Sequence, residues 1–221
     1  MRMKKILMVV TNSSQIDEEH ETGLWLGEFA EPYIEFMNSG FQVSAASPNG
    51  GRIPIDPNSV DGMPPDEWDD AIAMLQNTEV LSAVNVNDYN GIFLPGGHGT
   101  MFDLPDNPDL QKALVYFAEN NKVIGAVCHG PAGFVNTKLS NGKWLVDGVR
   151  LTGFTNEEEQ QTGLDSLMPF LLESKLREQG AKFEGAAAYS DHTVSDTRFV
   201  TGQNPQSSQS AAAAFAEAVK G

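Results

Sequence analysis

A short apolar run that ends abruptly in a turn constrains the fold of this chain more than any other feature. The run covers Val123–Val127, and Cys128 and His129 follow it directly. Gly130 and Pro131 then open a segment with helical potential. This order predicts a buried strand, a sharp turn and the N-terminus of a helix.

The only cysteine of the chain, Cys128, occupies this turn. We expect its thiol to be exposed at the carboxyl end of the strand and to face the positive end of a helix, which would lower the pKa of the thiol. In nucleophile-elbow enzymes a similar turn presents the nucleophile between small residues, and Ala126 and Gly130 supply these here. The alternative is a small apolar residue packed at a strand end, as free cysteines often are.

Apolar runs alternate with helical patterns along most of the chain, which predicts an α/β fold with a mostly parallel sheet and helices on both faces. The length suits a single domain, 1–221. A Val-Asp-Gly turn predicts a β-hairpin at 143–151, and four prolines mark an excursion at about 48–66, which we expect to cover the site. The predicted strands cover 4–10, 41–46, 123–127, 182–184 and 198–202, with a further strand from residue 90. The predicted helices cover 24–38, 67–76, 109–120, 169–178 and 207–220.

The composition excludes several classes of partner. A net charge of −16 argues against nucleic acid or an anionic membrane as the main partner. A single cysteine excludes an intramolecular disulfide framework and a multi-cysteine zinc site, and it fits a cytoplasmic protein. The apolar run near the N-terminus is too short for a signal peptide, and no stretch approaches the length of a membrane span.

In folds of this class the functional site lies outside the carboxyl ends of the strands. We therefore expect the loop after the first strand, the glycine-rich loop at 95–98 and Cys128 to converge. Backbone N–H groups of the loop Gly96-Gly97-His98-Gly99 are candidates for an oxyanion hole, with the N–H of His129 as a second donor. Side chains of neighbours in a turn often diverge, so the His129 ring need not deprotonate the thiol, and its role is structural in the alternative.

Glu28 lies in the middle of the first predicted helix, among apolar residues. Two interpretations remain open for its carboxyl group. It is either a solvated residue at the edge of the helix or a buried acid directed at the site. In the second case desolvation would keep the acid protonated, so that it could donate to a thiolate.

Four segments together resemble the DJ-1/PfpI superfamily, and in particular its branch of heat-inducible chaperones and glutathione-independent glyoxalases (glyoxalase III). The resemblance covers nearly the whole chain, and it is specific because the segments occur in this order. The segments are Pro95-Gly-Gly-His-Gly-Thr-Met-Phe-Asp103, Ala126-Val-Cys-His-Gly-Pro-Ala132, Thr152-Gly-Phe-Thr155 and Val200-Thr-Gly-Gln-Asn-Pro205.

The resemblance implies a flavodoxin-like three-layer sandwich, usually a homodimer, with Cys128 and His129 at the elbow. It places a functional glutamate at Glu28 on the first helix and loop donors at Gly97 and His98. In some members an acid after the Thr-Gly-Phe-Thr element orients the histidine; Glu159 is the best match here, and Glu158 is possible. Some larger relatives bind a metal through two histidines and one carboxylate. No matching spacing is present, so we expect no metal and no cofactor.

The implied activity is the conversion of methylglyoxal and similar 2-oxoaldehydes to 2-hydroxy acids without glutathione (D-lactate dehydratase), through a hemithioacetal on the cysteine. A stress-response holdase chaperone with a redox-sensitive cysteine is the alternative. Repair of glycated proteins overlaps with the glyoxalase chemistry. An amidase or peptidase ranks last, because no free imidazole is clearly placed as its base.

Overall fold

The structure is a computed structural model that describes residues 3–221. The predicted domain, 1–221, thus extends over two residues outside the described range. The strands are β1 (Lys5–Val9), β2 (Gln42–Ser47), β3 (Glu79–Val80), β4 (Gly91–Leu94), β5 (Val123–Val127), β6 (Arg150–Leu151), β7 (Lys182–Phe183), β8 (Thr193–Asp196) and β9 (Phe199–Gly202). The helices are α1 (Leu26–Asn38), α2 (Asp69–Met74), α3 (Thr100–Asp103), α4 (Pro108–Glu119), α5 (Asn156–Thr162), α6 (Leu172–Glu178) and α7 (Ser208–Lys220).

The main sheet has the strand order β3-β2-β1-β4-β5-β9-β8. Every pair in it is parallel except β8 and β9, which are antiparallel. β6 and β7 form a separate parallel pair. This arrangement confirms the predicted fold class, a flavodoxin-like α/β sandwich with a mostly parallel sheet. The central strands β4 and β5 are buried along their whole length, as expected for strands that are covered on both faces.

Aromatic rings and glycines join the sheet to its covering helices. The rings of Phe36 on α1, Phe93 on β4 and Phe215 on α7 form a cluster with centroid separations of 5.1–5.4 Å. A Cβ atom on Gly91 would lie 2.7 Å from the Phe215 ring, and one on Gly125 would lie 2.5 Å from it. Glycines in β4 and β5 therefore let α7 lie close against the sheet.

Three details of the chain differ from the sequence-based expectations. The predicted hairpin at 143–151 is wrong: a bridge between Lys138 and Trp144 closes a tight turn, and β6 pairs with β7 instead. This pairing buries Leu151 and Phe183, which a hairpin within 143–151 would not bring together. The short elements β3 and α3 and the strand β8 have no counterpart among the predicted strands and helices. The segment after Cys128 is a 3₁₀ helix, Gly130–Phe134, rather than an α-helix.

The excursion at 48–66 contains turns and a 3₁₀ helix, Pro57–Ser59. Its backbone pairs with the segment that leads into α1: the N–H of Leu24 donates to the carbonyl of Pro54 at 2.8 Å, and the N–H of Asp56 donates to that of Leu24 at 2.9 Å. The Asp56 carboxylate also accepts from the hydroxyl of Thr22 at 2.9 Å. The excursion therefore helps to fix the N-terminus of α1, the helix that carries Glu28. Among the described residues, no helix combines the length and the apolarity needed to cross a bilayer.

Candidate active site

Cys128 lies at the end of β5 in a strained turn. Its φ angle is 59°, in the left-handed region that residues other than glycine rarely adopt. Two backbone hydrogen bonds hold this conformation: the N–H of Cys128 donates to the carbonyl of Gly202 at 3.0 Å, and the N–H of Phe154 donates to the carbonyl of Cys128 at 2.9 Å. The end of β9 and the loop before α5 thus fix the orientation of the thiol.

The expectation of an exposed, acidic thiol is wrong. Cys128 is only 3% exposed. Burial raises the pKa of its thiol well above the usual value, and the adjacent Glu28 carboxyl raises it further, while the backbone N–H of His129 acts in the opposite direction. The 3₁₀ helix that follows the turn has only five residues, so it offers little of the dipole that an α-helix would supply. The resting group is therefore a thiol that needs a base.

Glu28 projects from α1 and is fully buried. One carboxyl oxygen, Oε2, accepts from the backbone N–H of Gly96 at 2.8 Å. Within residues 3–221, the other oxygen, Oε1, has no hydrogen-bond partner. Burial raises the pKa of Glu28 to about 8, so the group is mainly a neutral carboxylic acid at pH 7. Of the two interpretations from the sequence, the structure thus has the buried acid.

The His129 ring joins the thiol to a second carboxyl group. Its Nδ1 lies 3.4 Å from Sγ of Cys128, and its Nε2 lies 2.6 Å from the Glu159 carboxylate. The other Glu159 oxygen lies 2.7 Å from Nε2 of His98. Although burial of Glu159 raises its pKa, the two histidines outweigh that effect and hold the pKa well below its usual range. Glu159 is therefore an ionised acceptor for two imidazole N–H groups.

These contacts determine the tautomer of His129. Burial and the neighbouring His98 ring lower the pKa of His129, which keeps the ring neutral. With Nε2 donating to Glu159, the lone pair of the neutral ring is on Nδ1, which faces the thiol. The neighbouring side chains do not diverge at this turn, contrary to what we considered from the sequence. An amidase ranks last from the sequence because no imidazole is clearly placed as its base. The structure does place one, since Nδ1 of His129 lies beside the thiol.

The glycine-rich loop after β4 comes close both to Glu28 and to the elbow at His129. A Cβ atom on Gly96 would lie 2.7 Å from Oε2 of Glu28 and 2.7 Å from the backbone N of His129. Gly97 has a φ of 98°, and a Cβ atom there would lie 2.2 Å from the carbonyl oxygen of Gly23. Both positions therefore require glycine, because the loop packs directly against the start of α1 and against the elbow.

A cavity of about 270 Å³ opens above the thiol. Gly97, His98, Cys128 and His129 contribute to its lining, and aromatic rings form much of the rest. A larger outer cavity of about 680 Å³ shares some of its residues, and Asp56 to Asn58 of the excursion lie along it. The structure thus brings the predicted residues Glu28, Cys128, His129, Glu159, Gly97 and His98 to one place.

The aromatic walls of the inner cavity are not among the residues predicted from the sequence. These are formed by Trp25, Phe154 and Tyr189. The Phe154 ring lies over the His129 ring, with centroids 4.4 Å apart. A signal was present for two of them, because Phe154 belongs to the Thr-Gly-Phe-Thr element and Tyr189 is an isolated aromatic residue after three alanines.

His98, His129 and Glu159 also form a set of two histidines and one carboxylate, with their nearest ligand atoms all within 4.8 Å of one another. No such set was expected from the spacing in the sequence. In this structure both contacts to the carboxylate have the lengths of hydrogen bonds, and each uses Nε2 of its histidine. The absence of a metal stays a prediction, since the donor set for one is present.

Comparisons with known proteins agree with the family that the motifs indicated. The model of the DJ-1/PfpI family matches residues 21–218. A glutathione-independent glyoxalase of Saccharomyces cerevisiae is 32% identical, and the alignment covers 100% of both chains. The crystal structure of glyoxalase III from Candida albicans superposes with a TM-score of 0.90 at 30% identity, covering 98% of this chain and 97% of the other.

A second solved structure extends the comparison. The Rapid Encystment Protein 24 kDa of Francisella tularensis superposes with a TM-score of 0.94 at 37% identity, covering 98% of this chain and 99% of that one. These comparisons cover nearly the full length of this chain and of each relative. With a family model that spans most of the sequence and full-length relatives above 30% identity, this chain belongs to the DJ-1/PfpI family.

Proposed function

We propose that this protein is a glutathione-independent glyoxalase that converts methylglyoxal and similar 2-oxoaldehydes to 2-hydroxy acids. One observation carries the proposal: the Cys128 thiol lies between the neutral carboxyl group of Glu28 and the unprotonated Nδ1 of His129. Full-length relatives that are named glutathione-independent glyoxalase and glyoxalase 3 support it.

The first step forms a carbon–sulfur bond. Nδ1 of His129 accepts the thiol proton as Sγ attacks the aldehyde carbon of the substrate, and the proton then passes to the aldehyde oxygen, which gives a hemithioacetal. The negative charge that develops on the aldehyde oxygen needs hydrogen-bond donors. The backbone N–H groups of Gly97 and His129 are our candidates for these donors, and His98 is a candidate for substrate binding at the same end of the cavity.

The second step moves hydrogen between the two substrate carbons. A base removes the proton from the hemithioacetal carbon to give an enediolate, and an acid returns a proton to the neighbouring carbon, while the hydroxyl proton of the hemithioacetal moves to the former ketone oxygen. The aldehyde carbon is thereby oxidised to the level of a thioester, and the ketone carbon is reduced to an alcohol, so no external oxidant or cofactor is needed. Glu28 and His129 are the two proton-carrying groups beside the thiol.

Hydrolysis completes the cycle. Water attacks the thioester carbon, the carbon–sulfur bond breaks, and the 2-hydroxy acid leaves as Cys128 regains its proton. The cysteine thus takes the part that the glutathione thiol would otherwise play. Glu159 does not touch the reacting atoms; it holds His129 in the tautomer that the first step requires.

The decisive experiment measures lactate formation from methylglyoxal in the absence of glutathione. We expect activity from the wild type, none from Cys128→Ala, and a loss of at least about 100-fold in Glu28→Gln, since a positioned acid or base contributes about 10²–10⁴-fold. Lactate that persists in Cys128→Ala would disprove the covalent route. A wild type without lactate would disprove the glyoxalase assignment.

A second candidate function is an amide hydrolase, and the 3.4 Å contact between Cys128 and His129 favours it, with Glu159 as the third member. A chromogenic peptide amide in the same assay separates the two. If the protein is a glyoxalase, we expect no release of the chromophore. The adjacent Glu28 carboxyl raises the thiol pKa, and it has no part in the hydrolase route.

Further features of the protein are proposals as well. We propose a homodimer that lies in the cytoplasm, a single domain over 1–221, and a site that works without metal or cofactor. The single cysteine supports the reducing compartment, and the net charge of −16 supports a partner other than nucleic acid or an anionic membrane.

A further inference from the structure

One buried carboxylate next to the site has no part in the proposed reaction. Glu158 is fully buried, and it precedes Glu159 on α5 but points in a different direction. Its Oε2 accepts from the backbone N–H and the hydroxyl of Thr155, both at 2.9 Å. Its Oε1 accepts from three further donors, which are the backbone N–H of Tyr189 at 2.8 Å, Nε2 of Gln203 at 3.0 Å and Nδ2 of Asn204 at 2.8 Å.

The five donors belong to three separate parts of the chain. They come from the N-cap of α5, the loop before β8 and the segment after β9. All of them are neutral groups, so the buried carboxyl group is compensated by hydrogen bonds and not by a contacting cation. A helix cap alone needs only the two bonds from Thr155. The three bonds to Oε1 therefore serve another purpose.

These bonds hold the loop at 185–190. Its residues from Gly185 to Ala188 have no side chain that could anchor it. The loop is instead tied by Gln203, whose Oε1 accepts from the backbone N–H of Ala186 at 2.8 Å, and by Asn204, whose amide donates to the carbonyl of Ser190 at 2.8 Å. Because both amides also donate to Glu158, this one carboxylate organises most of the attachments of the loop.

The loop carries Tyr189 to the inner cavity. The residue is 39% exposed, yet its ring lines the same cavity as Cys128. Its backbone is strained, with a φ of 57°, and its N–H donates to the Glu158 carboxylate. The ring meets Phe154 edge to face at 6.2 Å. A strained backbone persists only where its surroundings fix it, and Glu158 supplies a direct fixation.

We propose that Tyr189 is a specificity-determining wall of the substrate cavity and that Glu158 is the positioning residue that holds it there. The proposal rests on the glyoxalase function for its substrate and names two residues outside the reacting group. With the wall in place, the cavity encloses a small 2-oxoaldehyde over the thiol. Without it, the cavity opens on one side, and a larger substituent finds room.

The kinetic test compares methylglyoxal with phenylglyoxal. For Tyr189→Ala we expect the KM for methylglyoxal to rise about tenfold, with kcat within about threefold of wild type, because lost contacts act on binding. The KM for phenylglyoxal should change less than about threefold, since its ring fills the space. Glu158→Gln places a side-chain N–H donor against the N–H groups that donate to the carboxylate, so it should reproduce this pattern. Glu157→Gln changes an exposed neighbour on the same helix and should not reproduce it.

A double variant tests whether Glu158 acts through Tyr189. If it does, Glu158→Gln combined with Tyr189→Ala should show the same KM as Tyr189→Ala alone, because the second change removes what the first one positions. If the effects of the two substitutions on KM multiply instead, Glu158 does not act through Tyr189 and the positioning role is overturned. A loss of kcat in Glu158→Gln at unchanged KM would overturn it too, because it would place Glu158 in the chemistry or on Glu159.

A second readout does not depend on glyoxalase activity. Cys128 is the only cysteine, so its alkylation reports access to the cavity. The ratio of the rate with a bulky maleimide to that with iodoacetamide cancels changes in thiol pKa, and it should rise at least about fivefold in Tyr189→Ala and Glu158→Gln. An unchanged ratio in Tyr189→Ala, which removes a partly exposed ring and should still fold, would overturn the wall. If the ratio rises but the wild type makes no lactate, Tyr189 is a wall of the cavity and the proposed glyoxalase function is wrong.

Discussion

Nε2 of His129 and the Glu159 carboxylate lie 2.6 Å apart, and this contact decides which nitrogen of the ring faces the thiol. A carboxylate that accepts from one imidazole nitrogen leaves the lone pair of the neutral ring on the other. Glu159 therefore acts at a distance from Cys128, through the tautomer of His129. The bond from His98 to the same carboxylate fixes Glu159 in turn.

Glu159→Gln should lower kcat about 100-fold or more while the protein stays folded. The amide can turn an N–H toward His129 and favour the tautomer with the proton on Nδ1, which cannot accept from the thiol. Steady-state lactate formation measures the loss, and Glu157→Gln is the matched control because it removes a charge from the exposed side of the same helix. Wild-type kcat in Glu159→Gln would show that the tautomer is not important for the rate.

The contribution of Glu28 to the stability of the protein should fall as the pH rises from about 5 to about 8, while the lowered pKa of His129 acts in the opposite direction at acidic pH in wild type and variant alike. The pKa of Glu28 is raised by burial from 4.5 to about 8, so between these values the folded state holds a proton that the unfolded state has released. The free energy of unfolding then decreases with pH, by on the order of 1 kcal/mol per unit for this group. Above about pH 8 the contribution is fully lost.

Glu28→Gln should flatten this slope, since glutamine does not titrate. Thermal unfolding of both proteins from pH 5 to pH 9 checks the prediction, and the difference in Tm between them should change across that window in favour of the variant. Parallel curves would contradict it. Glu159 does not confuse the result, because its lowered pKa makes its contribution fall away only at acidic pH.

The thiol pKa offers a separate test of the same carboxyl group. After burial, the charge of the nearby Glu28 is the next cause that raises the pKa of Cys128. We therefore expect the thiol of Glu28→Gln to titrate at a lower pH than that of the wild type. The ultraviolet absorbance of the thiolate, followed over pH with Cys128→Ala as the blank, measures it. A thiol pKa that is unchanged or higher would show that Glu28 stabilises the thiolate instead.

The features that the sequence predicted are those that depend on neighbours along the chain. The run Val123–Val127 and the turn after it are local, so the position of Cys128 at a strand end follows from the pattern. Its burial does not, because the groups that cover it come from α1 and from the loop at Phe154. The pKa of the thiol depends on that cover and was therefore predicted in the wrong direction.

The choice between Glu158 and Glu159 shows the same limit within one helix. Consecutive residues on a helix point about 100° apart, so one of the two had to face the histidines and the other had to face elsewhere. The sequence does not set this rotation. It is set by the capping box at Thr155, which ties Glu158 to the N-cap and so turns Glu159 toward His129 and His98.

Two glycine substitutions test how closely the loop after β4 approaches the site. Gly96→Ala should reduce activity strongly and destabilise the fold by about 1–3 kcal/mol, because its Cβ would lie 2.7 Å from Oε2 of Glu28 and 2.7 Å from the backbone N of His129. Gly27 is next to Glu28 on α1, and a Cβ there would have its nearest neighbour 3.4 Å away, in the Trp68 ring. Gly27→Ala should therefore be neutral or stabilise the helix by up to about 1 kcal/mol, with activity retained. Thermal unfolding and lactate formation on both variants check the pair, and equal behaviour of the two would show that the contact at Gly96 is not what orders the site.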